Sequence, residues 1–151
     1  MRILLIVPFL LVALAPAQAA AQNCGDPRAQ REVTRLKGEL DTQAVECSVA
    51  ARGDLDGDRR ADAVLVIGWE GAGGGNNWGS TLYVLLANGR APLVQEPDET
   101  RGTLDSVTVA GRTIRASTYE YREGDGRCCP SGRGQFILRL DGRRLVRVPP
   151  E

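Results

Sequence analysis

The chain has 151 residues with 19 basic and 19 acidic side chains, so its net charge is zero and it presents no electrostatic trap for nucleic acid. It contains no histidine, which removes the usual general base, triad member and zinc ligand, and the chain reads as a non-enzyme. Four cysteines form an even set that suits an oxidising compartment.

Residues 1–21 read as a secretory signal peptide. Arg2 supplies the positive start, Ile3 to Ala15 the apolar stretch, and Ala17-Gln18-Ala19 or Ala19-Ala20-Ala21 the small-residue cleavage site. The apolar run is too short for a span, so no membrane segment is expected after cleavage, and Asn23 before Cys24 argues against lipidation. The expected location is periplasmic or secreted. The remaining 22–151 is long enough for one core and is expected to be a single domain. Cys24, Cys47, Cys128 and Cys129 then predict two disulfides, with three connectivities open.

Asp26-Pro27 is an N-cap followed by proline at the first helical position, and Ala29, Val33, Leu36 and Leu40 are spaced loosely as a helix. The pattern predicts a short helix over 27–37, ending at Lys37-Gly38.

Residues 54–62 read Asp-Leu-Asp-Gly-Asp-Arg-Arg-Ala-Asp. Carboxylates brought together by a tight loop repel, by roughly 4 kcal/mol per pair at about 4 Å and an effective dielectric of about 20. A hard divalent cation relieves that repulsion, and Ca²⁺ prefers carboxylate and carbonyl oxygens. An EF-hand would need glycine at position 6 and glutamate at position 12, where this chain has Arg59 and Leu65. The shorter D-x-D-x-D-x-x-x-D pattern fits, with ligands Asp54, Asp56, Asp58, the Arg60 carbonyl and Asp62. A solvated Asp-Gly turn would have no use for the carboxylate at position 9. Arg52-Gly53-Asp54 spells an integrin-binding tripeptide, which we discount because Asp54 is committed to the ion.

Beyond the loop, Ala63 to Gly68 and Thr81 to Ala87 are apolar runs of buried-strand type. Asn88-Gly89 turns the chain into 91–95. Leu104 to Val109 and Thr113 to Tyr119 flank Ala-Gly-Arg, and Gln135 to Leu140 and Arg144 to Val148 flank Asp141-Gly142. These hairpins predict a mainly-β chain, one antiparallel meander of about six or seven strands with a short N-terminal helix.

Gly71 to Gly79 lacks the Lys-Ser/Thr ending of a phosphate loop and reads as a flexible connection, with Asn76, Asn77 and Trp78 as its candidate ligand contacts. Trp69 and Tyr83 read as sheet packing. Glu70 with Glu120 or Glu123 is the only basis for a carboxylate hydrolase. Arg139, Arg143, Arg144 and Arg147 read as the solvent face of the last hairpin.

Gly53 to Asp58 followed by Ala61 to Val66 resembles the calcium loop and strand of FG-GAP/VCBS-type repeats. With Gly71 to Gly79, Ser80 to Ala87 and Cys128-Cys129-Pro130, residues 50–148 resemble a group of small bacterial envelope proteins. That resemblance bears on the fold. With the aspartate loop, the chain is expected to bind one structural Ca²⁺ and to serve as a binding or scaffold module of the bacterial envelope, with an envelope protein or a glycan as partner. The alternative is recognition of a carbohydrate or protein ligand through Gly71 to Gly79 and Trp78. The resemblance covers the Cys-Cys-Pro and not Cys24, and so implies Cys24–Cys47 with Cys128–Cys129, crossed pairing staying open. Those loops usually have glycine where this chain has Arg59.

Overall fold

The structure, a computed structural model, describes residues 24–89, 93–96, 103–126 and 129–149. The expected signal peptide lies outside them.

The helix α1 spans Pro27–Glu39. The Asp26 carboxylate accepts the Arg28 N–H at 2.8 Å, and Pro27 takes the first helical position. The helix runs two residues past its expected end because Gly38 stays helical. The left-handed turn falls on Asp41 instead, at φ +46°, and the Thr42 N–H reaches back to the Lys37 carbonyl at 3.2 Å.

Eight strands follow among the described residues: β1 (Val45–Gly53), β2 (Asp62–Glu70), β3 (Trp78–Leu85), β4 (Val94–Gln95), β5 (Thr103–Ala110), β6 (Thr113–Glu120), β7 (Gly132–Asp141) and β8 (Arg144–Val148). The chain is mainly β, as expected, but the strands form two antiparallel sheets, β1-β2-β3-β4 and β5-β6-β7-β8, not one meander. The strand missing from the sequence reading is β1. Its inward residues Val45, Cys47, Val49 and Ala51 do alternate, but Glu46, Ser48 and Ala50 between them have low strand preference.

The first sheet is the middle layer. Val64, Leu82 and Val84 face the second sheet, where they meet Ile114, Phe136 and Leu138. Leu65, Ile67, Tyr83 and Leu85 face the helix, where they meet Ala29 and Leu36. A sheet covered on both faces needs apolar residues at successive positions, and that explains the unbroken runs in β2 and β3. Among the described residues the second sheet is covered on one face only, and β6 alternates accordingly, with Ile114, Ala116 and Thr118 buried. The arginines of the last hairpin, Arg139, Arg143, Arg144 and Arg147, are exposed as expected.

Candidate metal centre in the aspartate loop

The pairing of Gly53 with Asp62 closes β1 onto β2 and leaves residues 54–61 as the loop between them. Leu55 pins this loop to the core. Its side chain is fully buried between the sheets, against the cluster that holds Val64 and Ile114. Charged side chains satisfy both of its backbone groups. The Leu55 N–H donates to Asp62 Oδ2 at 2.8 Å, and Arg112 Nε donates to the Leu55 carbonyl at 3.3 Å.

Asp54, Asp56 and Asp58 each bring one carboxylate oxygen into a group spanning no more than 4.8 Å. Asp62 is not in that group. It is fully buried, and its second oxygen accepts the Ala87 N–H at 2.8 Å. Position 9 of the motif therefore ties the loop to the end of β3.

Backbone N–H groups hold the three clustered carboxylates in place. Asp54 accepts from Gly57 at 2.7 Å and from Arg59 at 2.9 Å, Asp56 from Asp58 at 3.0 Å, and Asp58 from Arg60 at 2.8 Å. These turns need two left-handed residues, Gly57 at φ +86° and Arg59 at φ +66°. Glycine is favoured at 57 by that φ and not by space, since a Cβ there would make ordinary contact with the Arg112 guanidinium carbon at 3.4 Å. Arg112 also donates to the Asp56 carbonyl at 3.0 Å. Arg112 thus reaches from the β5–β6 turn and clamps the loop against the second sheet. No sequence signal marks it, because it lies 57 residues from Leu55.

The Arg60 side chain is the loop's own cation. Its Nε and Nη2 donate to Asp58 Oδ2 at 2.8 and 2.7 Å. That guanidinium, with the Arg60 N–H, holds the Asp58 carboxyl below the usual carboxylate range. Asp58 therefore stays charged as pH falls past the point where an ordinary aspartate takes up a proton.

Arg59 sits in a conformation that an L side chain adopts at a cost of roughly 1–2 kcal/mol. Arg59→Gly is expected to raise the melting temperature by a few degrees, the relieved strain being offset in part by glycine's greater freedom when unfolded. Differential scanning calorimetry checks this, and a lower melting temperature would contradict it.

The other candidate residues lie elsewhere. Asn76, Asn77 and Trp78 are exposed, and backbone bonds tie their loop down: Gly71 N–H to Asn77 O at 2.7 Å, Gly73 N–H to Leu40 O at 2.9 Å, Gly74 N–H to Gly71 O at 3.0 Å and Gly75 N–H to Ala72 O at 3.2 Å. The expected flexible connection is thus anchored to the end of α1. Glu70 ends β2 and Glu120 ends β6, and they line separate neighbouring cavities, while Glu123 is exposed in the following turn. The Cys24–Cys47 disulfide is present, with Cα atoms 5.8 Å apart. The expected Cys128–Cys129 bridge involves Cys128, which lies outside the described residues. Among the described residues, no helix is long and apolar enough to cross a membrane.

No family model matches the chain, and no curated protein or solved structure matches it.

Proposed function

We propose that the chain is an exported, disulfide-stabilised β module that holds one Ca²⁺ in the aspartate loop and serves as a binding or scaffold module of a bacterial envelope. The observation that carries the ion is the convergence of Asp54, Asp56 and Asp58 within 4.8 Å. The donors are hard oxygens, which suit Ca²⁺ better than a softer metal. With Asp62 buried outside the cluster, the chain supplies three carboxylates and main-chain carbonyls such as that of Arg60, and water completes the shell. So few charged donors place the affinity with the weaker extracellular modules, at about 10⁻⁴ M. The likeness of the loop to FG-GAP/VCBS calcium loops supports the same reading. The leader-like residues 1–21 and the Cys24–Cys47 bridge support export, since disulfides persist in oxidising compartments.

The ion's work is to neutralise the loop at its solvent side while Leu55 and Asp62 hold the core side. The test is thermal unfolding of the oxidised chain lacking residues 1–21, with Ca²⁺ and with EDTA, beside Asp58→Ala. Ca²⁺ at about 100 times its dissociation constant should stabilise the fold by about 2.7 kcal/mol, and Asp58→Ala should remove most of that gain. Equal melting with Ca²⁺ and EDTA would retire the ion and leave the loop as a hydrogen-bonded turn.

A further inference from the structure

All five tryptophan and tyrosine residues of the chain, Trp69, Trp78, Tyr83, Tyr119 and Tyr121, line one cleft of about 860 Å³. The cleft lies where the C-terminal half of α1 meets the ends of β2, β3 and β6. Packing accounts for three of the rings. Tyr83 is 2% exposed, and its hydroxyl donates to Glu32 at 2.7 Å. Trp69 lies flat over Gly79, where a Cβ would come within 2.5 Å of the indole. Tyr119 carries the Arg133 guanidinium 3.8 Å from its ring centre.

The other two rings are exposed. Trp78 at 36% and Tyr121 at 55% are the exposed large hydrophobic residues among those described, and both line this cleft. Between them the walls are polar: Ser80, Thr81, Gln95, Thr103 and Glu120. Glu120 is set in place by Gly134, whose missing side chain makes room for its carboxylate. Two adjoining hollows, of about 760 and 300 Å³, are also lined by Trp78, so the groove extends past the first cleft.

We propose that this groove binds a neutral oligosaccharide. A pyranose ring offers an apolar C–H face and a rim of hydroxyls, and the groove offers aromatic platforms separated by hydroxyl, amide and carboxylate groups. Trp78 and Tyr121 stack on sugar rings, while Gln95 and Glu120 take their hydroxyls. A cationic ammonium ligand fits less well. Arg133 already covers the Tyr119 face, and Glu39 at the rim is held by Arg35. A greasy peptide fits less well too, because among the described residues Leu36 and Leu40 are the only aliphatic ones lining the first cleft, and Leu36 is 7% exposed.

The site uses none of the aspartate-loop carboxylates, so it stands or falls apart from the ion. The experiment is titration of the oxidised chain, in Ca²⁺, with chitotetraose, cellotetraose and maltotetraose, read by tryptophan emission and calorimetry. Tetramethylammonium chloride is titrated in parallel. At least one tetrasaccharide should bind, with affinity reduced about tenfold or more by Trp78→Ala and by Tyr121→Ala. Arg139→Ala, on the far hairpin, should change nothing. No binding by any of the three up to about 10 mM, binding that survives both aromatic variants, or binding of tetramethylammonium in their place would each overturn the proposal.

Discussion

Asp62→Ala is expected to destabilise the protein by about 3–5 kcal/mol, whether or not Ca²⁺ is present. The carboxylate is fully buried and accepts N–H bonds from Leu55 and Ala87, both at 2.8 Å. Truncation leaves two backbone donors facing a space that water fills poorly, each costing about 1–3 kcal/mol. The melting temperature should fall by roughly 10 °C. Asp62→Asn keeps the volume and one acceptor, and turns an NH₂ toward the other N–H, so it should cause about half of that loss. The conditions separate two roles for this residue. If Asp62 acts through the ion, its substitution is silent in EDTA. If it acts as the tie between the aspartate loop and the end of β3, the loss persists in EDTA. A melting temperature within about 2 °C of the parent in EDTA would refute the tie.

The aspartate spacing was legible in the sequence, but the division of labour within it was not. A linear pattern of carboxylates shows which side chains lie near one another along the chain. It does not show that Leu55 turns into the core, and that turn draws Asp62 inward to meet the Leu55 N–H. Hairpins were read well because Asp141-Gly142 and Ala-Gly-Arg at 110–112 announce their turns, with Gly142 at φ +58° and Gly111 at φ +57°. The split into two sheets had no comparable signal. It falls between β4 and β5, and it depends on β2 and β3 being buried on both faces. A run of apolar residues states only that they are buried, not between what. The aromatic cleft was half visible. Trp78 stood out in its glycine-rich setting, but its neighbours Tyr119 and Tyr121 come from the other sheet, and only the packing of the layers brings them near.

That packing puts the helix on the outside of the first sheet, and the Cys24–Cys47 bridge is its covalent attachment. Cys24 sits just before the Asp26 cap and Cys47 lies on β1, 23 residues apart in sequence. Both sulfurs border the cluster of Leu36, Leu65 and Ile67. Across the same layer, Glu32 accepts from Tyr83, and its carboxyl is held below the usual range by Arg35 and then by that tyrosine. Since burial opposes these partners and the pair is partly in water, the helix owes its seat mainly to apolar contact and to the bridge. Replacing both cysteines by serine releases the loop in the unfolded chain and should cost about 3 kcal/mol, seen as a melting temperature lower by roughly 10 °C. The loss should also be uneven. Amides of 27–39 should exchange with deuterium well before those of β2 and β3, because the sheet keeps its second covering layer when the helix lifts. The double variant isolates this bridge, whereas a reductant would act on every disulfide of the chain. If the melting temperature moves by less than about 2 °C and exchange in α1 stays slow, apolar contacts alone seat the helix and the bridge is dispensable to the folded state.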